Sequence, residues 1–227
     1  MPDGTTVSEE HLREERHTLE SIIGGTVGGG IIAIAGVVLA IIGLAGIYPR
    51  FLLVAATIAV GVSFLMEGAA IGARLSDLLE EATEGRVQLA ELGTGTTAET
   101  LAGIVGIALG ILAALNVVPA TLLPVAAIVF GGAAILAAGT NISLNDLVVR
   151  HREEHAVARR VIRQAVYATT GLQVLVGLGA VALGIIALAS GEYAYTLSLI
   201  AMLGIAGAFL LSNTAIASRM TSVLRHA

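Results

Sequence analysis

From Gly103 to Gly132 the chain reads GIVGIALGILAALNVVPATLLPVAAIVFGG. The stretch carries no charge, and its two prolines, Pro119 and Pro124, both lie past its midpoint. A helix needs about 20 mostly apolar residues to cross a hydrocarbon core about 30 Å thick. The uncharged run containing it, from Glu99 to Asp146, is long enough for two crossings. Asn116-Val117-Val118-Pro119 supplies the break between them, because a proline and the residue before it both resist continuing a helix. A closed β-barrel is the other way to satisfy backbone groups in lipid. It would alternate polar and apolar residues, and this run does not.

The same reading extends outward. Hydrophobic residues make up 56% of the 227 positions and charged ones 13%, about half the charged share of a soluble domain. Mean hydropathy is +0.90. No charge falls between Glu20 and Arg50, between Arg163 and Glu192, or between Glu192 and Arg219, and between Arg50 and Arg74 only Glu67 does. The expected architecture is therefore all-α: a polytopic membrane protein with six spans, at about 22–47, 51–73, 101–117, 120–139, 170–190 and 194–217. The first apolar run has a long acidic flank and exceeds the 7–15 residues of a signal-peptide core, so it reads as a span that is kept. Cysteine is absent, which excludes disulfides and thiolate metal sites. All 12 basic residues are arginine.

Those arginines orient the chain. With six spans, eleven of them (Arg13, Arg16, Arg74, Arg86, Arg150, Arg152, Arg159, Arg160, Arg163, Arg219 and Arg225) share one side, and only Arg50 lies on the other. Loops kept in the cytoplasm carry the arginine excess, so both termini are expected inside, with the plasma (inner) membrane as the location. The outer connections are short, around Tyr48-Pro49-Arg50, Val118-Pro119 and Gly191-Glu192-Tyr193.

The glycines suggest a period. Gly29, Gly103 and Gly177 are spaced by 74 residues, as are Gly36, Gly110 and Gly184. Within each pair the separation of seven, about two helical turns, puts both glycines on one face. The flanking texts run in parallel: GGGIIAIAGVVLAIIGLAG, AGIVGIALGILAALNVVP and VGLGAVALGIIALASGEY. Three parallel helix-hairpin repeats result, each a helix, a short outer turn, a second helix and a polar inner segment. Lipid gives leucine no reason to prefer another helix, so close packing of small residues must join the spans. The spacings Gly24–Gly28, Gly25–Gly29 and Gly106–Gly110 fit that need.

The implied organisation is a cytoplasmic N-terminal segment 1–21, hairpin 22–73, an acidic segment 74–100, hairpin 101–139, an amphipathic segment 140–169, hairpin 170–217 and a tail 218–227. A hairpin written GIALGILAALNVVPATLLPVAAIVFGGAAIL and present three times resembles the HdeD-type short-repeat membrane family. That resemblance implies a link to acid resistance and stress. It covers the hairpins only; the long charged inner segments depart from the family pattern, and no functional residue carries over.

Few residues offer chemistry. Glu67 is the ionisable residue inside a span, and an intramembrane acid is by default a functional candidate. It lies 17 residues after Arg50, about 25 Å at 1.5 Å per residue, hence close to the inner headgroups. There it serves either interhelical hydrogen bonding or the mouth of a transport path. Two Glu/His clusters could supply nitrogen and oxygen to a divalent metal: Glu14 with His17, and His151, Glu154 and His155. Short Glu/His/Arg combinations are also common on solvated helices. Arg159, Arg160 and Arg163 alternate with Val157, Val161, Ala165 and Val166, which suits an amphipathic helix at the inner surface facing anionic lipid. One short basic stretch in a chain of net charge −5 is a poor nucleic-acid footprint. ELGTGTTAET (91–100) lacks the lysine of a phosphate loop and reads as a turn followed by a helix cap at Thr96, Thr97 or Thr100. No nucleophile elbow or triad is present.

The expectation is a non-enzymatic integral membrane protein, without cofactor, in a structural, stress-related or complex-assembly role. A small channel or transporter using Glu67 and a metal-binding protein using the Glu/His clusters are the alternatives. The bilayer is the expected partner, and the glycine faces also suit a homo-oligomer or a larger membrane complex.

Overall fold

In the computed structural model of the chain, backbone is described for residues 28–81, 86–150 and 156–224, and side chains for 28–69, 97–138 and 170–212. Every regular element among them is a helix: α1 (Gly28–Leu44), α2 (Pro49–Glu81), α3 (Arg86–Ala114), α4 (Pro119–Arg150), α5 (Ala156–Ser190) and α6 (Ala194–Leu224). Five contain a segment long and apolar enough to cross a membrane: Pro49–Ala69, Thr97–Ala114, Pro119–Ala138, Thr170–Ser190 and Ala194–Ser212. The described part of α1 is apolar but shorter.

Tight turns join α1 to α2 and α3 to α4 in the same way. Gly46 (φ 85°) and Asn116 (φ 68°) take the left-handed conformation just after a helix, which glycine adopts freely and asparagine tolerates. Their N–H groups donate to the carbonyls of Gly43 and Ala113, and those of Ile47 and Val117 to the carbonyls of Ile42 and Leu112. This is the Schellman arrangement, which satisfies carbonyls left over at a helix end. Pro49 and Pro119 then open the next helix, where a missing N–H costs nothing. The Arg50 guanidinium donates to Asn116 Oδ1, tying the two turns together.

Inner and outer helices differ in burial. Half of each span in α2, α4 and α6 is buried, against 33% in α3 and 28% in α5. The three inner helices contact one another, α3 packs on α2 and α4, and α5 packs on α4 and α6. The closing place belongs to α1: Gly36 lies against Ala206 and Val60, and Gly43 against Leu199. Phe64, Phe130 and Phe209 fill the middle. Phe64 stacks on Phe130 with ring centroids 5.1 Å apart and meets Phe209 at 4.4 Å; such pairs contribute about 0.5–1.5 kcal/mol beyond burial. The outer faces carry exposed aliphatic side chains, among them Ile31, Ile34, Ile104, Leu112, Leu175 and Ile185. Exposed apolar area on this scale is unusual for a protein in water and is what a lipid-facing surface requires.

Buried positions recur in the outer helices: 29, 33, 36, 40 and 43 in α1; 99, 103, 106, 110 and 113 in α3; 173, 177, 180, 184 and 187 in α5. From α3 to α5 the offset is 74, as the glycines suggest. From α1 to α3 it is 70, the same offset as Pro49 to Pro119 and Gly46 to Asn116. Gly103 thus occupies the place of Ala33, not of Gly29. The burial offset and the glycine spacing therefore differ by four residues, one helical turn, between α1 and α3, on a face where small residues are frequent.

Two further differences concern the polar segments. The stretch 91–100, expected as a turn, lies inside α3, which runs unbroken from Arg86. Gly93 and Gly95 cost about 1 kcal/mol each relative to alanine, but extending an existing helix avoids the nucleation cost. Likewise α2 and α4 continue to Glu81 and Arg150, past the expected ends at 73 and 139, and α5 begins at Ala156. No proline interrupts any of these extensions.

Candidate functional site

The α2–α3 seam is built on glycine. A Cβ on Gly103 would stand 2.7 Å from the Gly61 carbonyl oxygen, and one on Gly61 3.1 Å from that of Gly103. The first gap is too short for a real side chain and the second leaves little room for one, so the two backbones pack closely here. Six residues further along α2 is Glu67, and four residues back along α3 is Glu99. The spacing 99, 103, 106, 110 keeps Glu99 on the same face as the glycines, pointing it into the seam.

Glu99 is only 1% exposed. Both of its carboxylate oxygens are enclosed without a hydrogen-bond partner, as is Oε2 of the partly buried Glu67. A Cβ on Gly103 would also meet Leu65 at 2.7 Å, so Glu99, one turn before Gly103, falls level with Glu67, two residues beyond Leu65. Glu99 stands 15 residues before the end of α3 at Ala114, about 22 Å at 1.5 Å per residue. Glu67 lies about 25 Å from Arg50 by the same measure, so both sit at a similar depth, at the end away from the tight turns.

This arrangement is costly. Burying a carboxylate without a partner is so unfavourable that such a group ordinarily acquires a proton, an ion or a hydrogen bond. Two like charges enclosed together also repel, which disfavours ionising both. The described side chains of α1, α4, α5 and α6 that could surround the pair include no Asp, His, Lys or Arg, and their one acid, Glu192, is in the turn before α6. Arg50 is the one basic residue of α2 whose side chain is described, and it is engaged at the opposite end with Asn116.

Other buried polar groups are treated differently. Thr57 Oγ1 donates to the Leu53 carbonyl at 2.8 Å and Ser63 Oγ to that of Ala59 at 3.2 Å, the usual back-bonding of hydroxyls within a helix. Ser198 Oγ is enclosed without a partner, but it lies near the start of α6 among apolar neighbours.

Of the residues singled out from sequence, Glu67 is in the site. Glu14, His17, His151, Glu154 and His155 lie outside the described residues. Arg159, Arg160 and Arg163 fall on α5, but their side chains lie outside the described set. No group of three or more His, Asp or Glu that could hold a metal occurs among the described residues. Sequence reasoning missed Glu99 by treating it as the last acid of the polar segment 74–100. Its heptad relation to Gly106 was the available signal. No protein-family model, curated protein or solved structure matches this chain.

Proposed function

We propose that this is a non-enzymatic integral membrane protein of six spans, arranged as three helix hairpins repeated in parallel. Both termini face the cytoplasm, the plasma membrane is its location, and its role is structural, in assembling or supporting a membrane complex under stress. The observation that carries this reading is the filled axis. Phe64, Phe130 and Phe209 meet where α2, α4 and α6 converge, with Leu53, Leu123 and Met202 fully buried alongside. Such a bundle has an interior made for packing and an exterior made for lipid. The shared burial offsets and the paired proline-led turns support a triplicated hairpin, and the likeness to the HdeD-type family supports the stress connection.

Reporters fused after residues 85 and 155 test the topology: both are expected on the cytoplasmic side, and opposite sides would refute it. Native mass measurement in mild detergent tests the assembly role. An oligomer or a complex is expected, and a bare monomer contradicts it. Survival of acid challenge by cells lacking the chain tests the stress role, with unchanged survival counting against it.

One observation favours a second reading. The enclosed Glu67–Glu99 pair suits transport along the α2–α3 seam better than through the packed axis. Liposome flux that Glu67→Gln abolishes would support it, whereas no flux, or equal flux from both proteins, would end it.

A further inference from the structure

The two seams of closest helix approach share their packing but not their chemistry. In α4–α5, a Cβ on Gly131 would lie 2.6 Å from the Gly177 carbonyl oxygen, and one on Gly177 2.7 Å from that of Gly131. The positions 70 and 74 residues on from Glu67 and Glu99 are Ala137 and Gln173, each 3% exposed. An alanine and an uncharged amide thus suffice to close the same crossing, and packing does not explain two carboxylates in α2–α3. What they have instead is unmet charge: three enclosed oxygens with no hydrogen-bond partner and no basic side chain opposite them among the described residues.

We infer that Glu67 and Glu99 form a binding site for a small cation, held between the two carboxylates at the end of the seam away from the tight turns. Two carboxylates offer up to four oxygens and a formal charge of −2. That set suits a proton shared between them, or a hard metal ion that completes its oxygen shell with water. The chemistry common to both sources is neutralisation of the paired acids by a positive charge that no described side chain supplies. The inference rests on the membrane reading above, which puts lipid rather than water around the helices that enclose the pair.

The test uses full-length protein in nanodiscs of neutral phosphatidylcholine, so that lipid headgroups contribute no net charge. Thermal unfolding is followed by circular dichroism against NaCl, KCl, MgCl2 and CaCl2, each balanced with choline chloride to constant ionic strength. A ligand that binds only the folded state raises its stability with concentration. If a metal ion is the occupant, Tm rises saturably with that salt, and its apparent affinity falls at least tenfold in Glu99→Gln and in Glu67→Gln. If a proton is the occupant, Tm is indifferent to salt but rises as pH falls from 8 to 5, because the folded state then takes up the proton; the rise disappears in both variants. A wild-type Tm flat against every salt and against pH overturns the inference, as does a response that either variant retains in full. Should one variant fail to fold, the other decides. Failure of the membrane reading is seen separately, as protein that stays monodisperse in buffer without detergent.

Discussion

The seams α2–α3 and α4–α5 are nearly the same object to within a glycine, and they part company only at one end. Both bring two backbones into contact, through Gly61 with Gly103 and through Gly131 with Gly177. One then places Glu67 and Glu99 beyond the crossing, the other Ala137 and Gln173. The closing seam, α6 against α1, relaxes the packing as well: its equivalent positions are Ala206 and Ala33, both buried. Close helix approach and buried charge are therefore separable properties of this bundle. The first is distributed around it and the second is confined to one place.

Breaking the packing is expected to have the largest effect. Gly103→Val and Gly177→Val each drive a branched side chain into a backbone carbonyl that cannot rotate away. Each should cost about 1–3 kcal/mol or more, seen as similar drops in the midpoint of thermal unfolding in mild detergent. A loss in only one would show that the two seams are not equivalent. Transplanting the acids comes next. Ala137→Glu with Gln173→Glu should cost about 1–3 kcal/mol by leaving polar groups enclosed and unmet, and should create a second cation-dependent stabilisation.

The reverse exchange, Glu67→Ala with Glu99→Gln, should leave cation-free stability unchanged or slightly higher. Removing buried charge is often neutral or favourable, and Ala137 shows that alanine closes the equivalent position of the other seam. A drop of more than about 1 kcal/mol would mean that the acids hold the seam together. Smallest is Asn116→Gly, which removes the acceptor for Arg50 while keeping a residue at ease with positive φ. It should shift stability by less than about 1 kcal/mol.

Much of the architecture could be read from the residues because runs with little or no charge stand out: the spans in α4, α5 and α6 carry none, those in α2 and α3 only Arg50, Glu67 and Glu99, and the turns lie at Asn116–Pro119, Tyr48–Pro49 and Gly191–Tyr193. The layering into inner and outer helices was less accessible. Both kinds are aliphatic and small, and only the phenylalanines of α2, α4 and α6 distinguish the inner set. The register between α1 and α3 was obscured by an excess of glycine, although the prolines that follow the two turns mark it. Half of the site was legible, because an acid amid apolar residues stands out. Glu99 did not, since it borders a polar segment whose two glycines and run of threonines suggest a turn, and only the helix continuing through them carries Glu99 into the interior.

The chain contains no cysteine, so engineered thiols report without background. Glu67→Cys with Glu99→Cys, treated in isolated membranes with a short bifunctional thiol reagent, measures whether these positions face each other across α2 and α3. Efficient intramolecular cross-linking is expected, with little from Glu67→Cys paired with Gln173→Cys. No cross-link between positions 67 and 99, or equal yield from the two pairs, would contradict the buried acid pair on which this account rests.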